Sequence, residues 1–178
     1  MAQEGIIVEY IPPLRWRGRY LECFLGAARG GDDVVTVGRV MLIPVSVPEV
    51  LTVDQIIYVK GSAIAGNLRA GIYSDPDGDG PDGDALLVDS GVVAVNPGAT
   101  RAQAVAINPT VIEPPMVWGA LEFSDATMEV EWAMGQAFRG DEPTIRYYDL
   151  GAFAALSDPC PVTALLTLAV HLWIRVVA

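Results

Sequence analysis

Histidine and lysine are almost missing from this sequence: His171 and Lys60 are the sole examples among 178 residues. A metal site or an acid–base dyad built on imidazole needs a partner at suitable spacing, and His171 has none. Cysteine is nearly as scarce. Cys23 and Cys160 lie far apart and match no metal or redox spacing. They read as two small buried thiols, with a Cys23–Cys160 bridge or a bridge between subunits as the alternatives. A serine nucleophile is also missing, since Gly61-Ser62-Ala63 lacks the glycine that completes a nucleophile elbow. Positive charge is short: Lys+Arg 11 against Asp+Glu 22 leave a net charge of −11. Nucleic-acid phosphates repel such a chain, which excludes nucleic acid as its main partner.

Long uncharged apolar runs are lacking as well. A membrane span takes about 20 mostly apolar residues, and the best stretch, 162–178, carries His171 and Arg175. No basic start leads into an apolar run, so no secretory leader is expected. No repeat and no amphipathic helix of three or more turns is visible.

What is present is apolar and strand-like. The chain is 52% hydrophobic and only 19% charged, with mean hydropathy +0.37. That exceeds what one core absorbs, and the surplus points to subunit interfaces. Period-two alternation marks a half-buried strand. It places Val35, Val37, Met41, Ile43, Val45 and Val47 on one face, with Arg39 the exception. It sets Met128, Val130, Trp132 and Met134 opposite Glu129 and Glu131. In a single closing strand it places Leu166, Leu168, Val170, Leu172, Ile174 and Val176 opposite Thr167, His171 and Arg175. Shorter strands are expected over 50–60, 68–73 and 85–95. Thirteen prolines and eighteen glycines between such runs fit an all-β fold, an antiparallel β-sandwich. Residues 1–33 differ in composition and read as an extended N-terminal arm with a Gly/Ala/Asp linker at 26–33; the sandwich domain is expected at 34–178.

Several segments also resemble a known family. These are Pro-Glu-Val-Leu-Thr-Val-Asp-Gln-Ile-Ile-Tyr-Val at 48–59, Leu-Arg-Ala-Gly-Ile-Tyr-Ser-Asp at 68–75, Ala-Leu-Leu-Val-Asp-Ser-Gly at 85–91, and Leu-Ser-Asp-Pro-Cys-Pro at 156–161 before the closing strand. In this order they resemble the jelly-roll module of phage fibre, tail-tip and head-fibre proteins. Cys160 departs from the family's Asp-Pro-Phe-Pro. The likeness spans residues 40–178 and implies a jelly roll in a virion context; none of its motifs is catalytic.

The most chemically suggestive stretch is the loop carrying Asp75, Asp77, Asp79, Asp82 and Asp84. Its Asp-x-Asp-x-Asp-Gly opening copies the first half of a calcium-binding EF-hand loop. Leu86 stands where the twelfth-position glutamate belongs, so a solvated Asp/Gly turn competes with a calcium site. Arg15, Arg17 and Arg19 share one strand face, with Trp16 and Tyr20 on the other, which suits docking on an acidic neighbouring subunit; a solvated basic strand and contact with packaged DNA or lipid are the alternatives. Glu129 and Glu131 have the spacing of a glycosidase pair but also that of an ordinary solvent face. Trp118, Trp132, Trp173, Tyr73, Tyr147 and Tyr148 can stack on sugar if several reach one exposed patch.

The expectation is therefore a non-enzymatic virion structural protein with no resident cofactor, calcium aside. It would be a fibre- or appendage-type subunit on the outer surface, forming a homo-oligomer, a trimer first. Its arm would meet other virion proteins. The alternatives are a capsid decoration or head-fibre protein, or a carbohydrate-binding module that attaches to a host glycan.

Overall fold

A computed structural model describes residues 20–22, 28–61, 65–96, 102–134, 145–165, 169–170 and 172–177. They contain fourteen strands and, among the described residues, no helix. In chain order these are β1 (Tyr20–Glu22), β2 (Ala28–Val34), β3 (Arg39–Ser46), β4 (Leu51–Val59), β5 (Asn67–Asp75), β6 (Leu86–Asp89) and β7 (Val93–Ala94). They continue with β8 (Ala102–Ile112), β9 (Met116–Phe123), β10 (Glu129–Met134), β11 (Arg146–Asp149), β12 (Ala164–Leu165), β13 (Ala169–Val170) and β14 (Leu172–Val176). The all-β expectation holds, and the fold is an antiparallel β-sandwich.

The larger sheet has the order β12-β11-β3-β9-β5-β6, with β7 also on β5; the second runs β1-β14-β4-β8. A small third sheet, β13-β10-β2, is joined by an isolated bridge between Lys60 and Val130. Between the two main sheets lies the principal core. Ile43, Val45, Ile72, Leu121 and Phe123 from the larger sheet meet Ile56, Tyr58, Val105, Leu172 and Ile174 from the other. Fully burying a leucine or isoleucine side chain stabilises by about 1.5–3 kcal/mol, so this layer dominates the fold. Gly119 shows how closely the sheets approach. A Cβ there would come within 2.9 Å of Leu172 Cδ1, so any larger residue must displace the Leu172 side chain.

The larger sheet is buried on both faces, and every residue of β9 is buried. Its outer face carries a second cluster of Val40, Leu42, Tyr73, Trp118, Ala120 and Tyr148, capped by Leu156 and Cys160 of the segment 150–163. We call that segment the strap. It starts where the Leu150 N–H meets the Gly38 carbonyl at 2.6 Å. Gly38 sits at φ 73, and a Cβ there would collide with the Ala152 backbone.

Two expectations need correcting. The region 162–178 is not one long strand: β12 pairs with β11, β13 with β10 and β14 with β4. The alternation is right only for the last piece, where Leu172, Ile174 and Val176 are buried and Trp173 and Arg175 half-buried. Three separate partners each satisfy a short stretch of backbone. The composition read as a linker also forms a strand, because β2 runs antiparallel to β10 with Val34 opposite Glu129. Ladder pairing overrides the low strand preference of glycine and aspartate.

Candidate functional site

The acidic loop leaves β5 at Asp75 and is anchored before it turns. Asp75 is buried; its Oδ2 accepts the Trp118 indole N–H at 2.7 Å and its Oδ1 the Gly78 N–H at 2.8 Å. Trp118 reaches it from β9, where Tyr73 is its register partner. Gly78, Gly80 and Gly83 all have positive φ, so the chain folds back tightly. The return brings Asp84 beside the start. One carboxylate oxygen from each of Asp75, Asp77 and Asp84 lies within 4.8 Å of the others.

The five aspartates thus divide. Asp75, Asp77 and Asp84 converge. Asp79 joins at the rim through a hydrogen bond with Asp77, which raises its pKa above the usual carboxylate range. Asp82 turns away: it accepts the Thr163 N–H at 3.1 Å and pairs with Arg146 at 3.7 Å. Leu86 contributes only its N–H, donated to Asp158 Oδ1 at 3.0 Å. The loop closes on Asp84, two positions short of the EF-hand glutamate.

Burial, followed by the charges of Asp75, Asp77 and Asp79, pushes the Asp84 carboxyl up to about 6. Its Oδ2 is buried and has no hydrogen-bond partner among the described residues. Three convergent carboxylates offer hard oxygen donors of the kind calcium takes, although calcium asks for 6–8 ligands, and two of these oxygens already accept N–H groups. The same cluster can instead hold a proton near pH 6. Arg146 supplies the local positive charge. Its guanidinium lies 5.9 Å from the Trp118 ring centroid and close enough to Gly80 that a Cβ there would stand 2.9 Å away.

The strap locks the loop from its other side. Cys160 N–H donates to Asp84 O and Gly83 N–H to Cys160 O, both at 2.8 Å. Cys160 is a free, buried thiol, and burial pushes its pKa up to about 12. Cys23 lies outside the described residues, as do His171, Arg15, Trp16, Arg17 and Arg19. Tyr20 lies in β1 opposite Arg175 and is exposed.

Three of the six candidate aromatics do not reach an exposed patch. Trp118, Tyr73 and Tyr148 are buried on the covered face of the larger sheet, because their polar tips find partners there. The two tyrosine hydroxyls share a hydrogen bond of 2.7 Å, and Tyr73 also donates to the Ser157 carbonyl at 2.7 Å. Tyr147 is half-buried under the Arg39 guanidinium, 4.2 Å from its centroid.

Sequence reasoning passed over Arg146 and Glu122. Both carried a signal: Arg146 is one of few cations, and Glu122 is the lone charge in the apolar run of β9. Comparison with family models, curated proteins and solved structures finds no match for the chain.

Proposed function

We propose that this chain is a non-catalytic structural protein of a phage particle, a fibre- or appendage-type subunit on the virion's outer surface that forms a symmetric trimer. One observation carries the reading: the outer face of the four-stranded sheet sets small exposed alanines beside half-buried Ile57, Gln55 and an Arg175 that pairs with Asp54. Trp173, Ile57 and Ala104 stand in register across β14, β4 and β8, and Arg175, Gln55 and Ala106 form the row beside them. Ala104 and Ala106 are exposed and Ile57 is half-buried. Exposed Val50, Val111 and Val177 extend the surface at one end. Among the described residues no layer comparable to the strap lies on this face. Symmetric self-association is the common way for a soluble chain to cover such a surface.

Strand order supports the jelly-roll part of the reading. The chain crosses between the main sheets from β3 to β4 to β5 and again from β8 to β9, so that β8 pairs with β4 while β9 enters between β3 and β5. Nested crossings of this kind belong to Greek-key sandwiches and jelly rolls. The family resemblance of residues 40–178 adds the virion context. The basic segment around Arg15, Arg17 and Arg19 would then dock on acidic neighbours in the particle.

Light scattering on the full chain and on a version lacking residues 1–19 tests the proposal. The truncation spares β1. A trimer from both supports assembly through the sandwich; monomers from both overturn it in favour of a decoration protein ordered only on its lattice.

A further inference from the structure

Four contacts of different kinds hold residues 154–157 of the strap over the larger sheet. Leu156 plugs the space above Gly71, where a Cβ would collide with Leu156 Cδ1. The Ser157 N–H donates to Tyr148 Oη at 3.3 Å, and its carbonyl accepts from Tyr73. The Leu156 N–H reaches Asp89 Oδ2 at 3.4 Å. The fourth contact is the Ala154 N–H, which donates to Glu122 Oε1 at 3.1 Å.

Glu122 is unlike the other three. It has 0% exposure, the only fully enclosed carboxylate among the described residues. Its Oε2 has no hydrogen-bond partner among them. Arg69 stands directly opposite in the β5–β9 register; its Nη1 is paired with Asp89 Oδ2 at 2.9 Å, while its buried Nε has no hydrogen-bond partner among the described residues. An ionised carboxylate here would be buried with one donor, the Ala154 N–H, and a counter-ion shared with Asp89, and burial then favours the neutral acid.

We propose that Glu122 is a proton-operated latch for the strap: protonated, it lets 150–157 close over the outer face of the larger sheet; ionised, it loosens that closure. The groups facing it are Arg69 of β5, Asp89 of β6 and Tyr148 of β11; Val40 of β3 is apolar, and the strap itself carries no charge over 150–157. Burial is the largest influence on Glu122 and outweighs both the Ala154 N–H and Arg69, pushing its carboxyl up to about 7 from an ordinary 4.5.

The sign follows from linkage. With the closed form holding the proton up to about pH 7 and the open form releasing it near 4.5, closure is unpenalised below pH 4.5. It weakens as pH rises between those values and levels off above about 7. Opening frees the seat of Leu156 and the Tyr73–Tyr148 pair. It also relaxes the 158–163 contacts that shape the acidic loop.

The test is hydrogen exchange of the Ala154 and Leu156 amides in the full chain from pH 5 to pH 8. Protection is corrected for intrinsic rates and compared with amides of β4. Wild type should lose at least about tenfold protection at the strap across this range, and Glu122→Gln should show no such loss. A strap whose protection stays within about twofold in wild type overturns the latch, as does a Glu122→Gln protein with an unchanged pH slope. Should Glu122→Gln fail to fold, the carboxyl carbon shift of Glu122 in wild type decides the matter. A midpoint near 7 that coincides with the loss of protection supports the latch, and one near 4.5 overturns it.

Discussion

The two main sheets solve the same problem differently on their outer faces. The larger sheet covers its own: the strap lays Leu156 and Cys160 over Trp118, Tyr73 and Tyr148, whose polar tips all find partners. The four-stranded sheet shows Ala104, Ala106 and Ile57 with no such layer among the described residues. A face that buries large aromatics needs cover from its own chain to fold at all. One that exposes alanines beside half-buried larger side chains can stay folded as a monomer and still fit against a copy. The contrast separates what stabilises the subunit from what we propose assembles it.

Substitutions on the two faces should therefore fail in different ways. The largest effect is expected from Trp118→Ala, which empties the covered face and leaves buried Asp75 without its indole donor. A loss of about 3–5 kcal/mol in urea unfolding is expected. Leu156→Ala should cost about 2–4 kcal/mol and free the strap, read as faster proteolysis within 150–163. Ile57→Ala on the outer face of the four-stranded sheet should cost under about 1 kcal/mol in monomer stability. If the two aliphatic truncations cost the same, the contrast between the faces is broken.

A smaller effect sharpens the account of the acidic loop. Asp84 has its folded-state pKa raised from 3.8 to about 6. The folded chain therefore favours the proton, and stability is lost as pH rises through that window. Asp84→Asn should recover about 1 kcal/mol at pH 7, after discounting for partial exposure, and nothing below pH 3.8. Calcium that restores the melting temperature of wild type at pH 7, but not that of Asp84→Asn, would locate a cation among Asp75, Asp77 and Asp84. A melting temperature unmoved by calcium leaves the loop as a hydrogen-bonded turn.

The fold class was legible because alternation is a local signal. Met41, Ile43 and Val45 do face the core, as do Leu172 and Ile174. The misreadings came where local pattern and long-range pairing disagree. Leu165, Val170 and Leu172 belong to three different sheets, and hydropathy carries no mark of which strand a short apolar stretch will join. The Gly/Asp-rich β2 fails every propensity test and is a strand because β10 is beside it. At the candidate site, the sequence named all the aspartates that converge. It gave no way to see that Asp82 would leave for Thr163, some eighty positions away, or that Trp118 would be spent on Asp75 and lost to any sugar platform. Glu122 is the instructive omission: a single charge inside a run as apolar as β9 marks a carboxylate the fold has gone out of its way to bury.

If another copy of the chain covers the outer face of the four-stranded sheet, as we propose, Ala104→Glu should disrupt that contact. This exposed position can accept a charge without disturbing the core, so the variant should fold with the melting behaviour of a dissociated subunit. Light scattering should then find wild type at three times the subunit mass and Ala104→Glu at one. An Ala104→Glu protein that keeps the wild-type mass would contradict the proposal, since like charges cannot be packed into such a contact without cost.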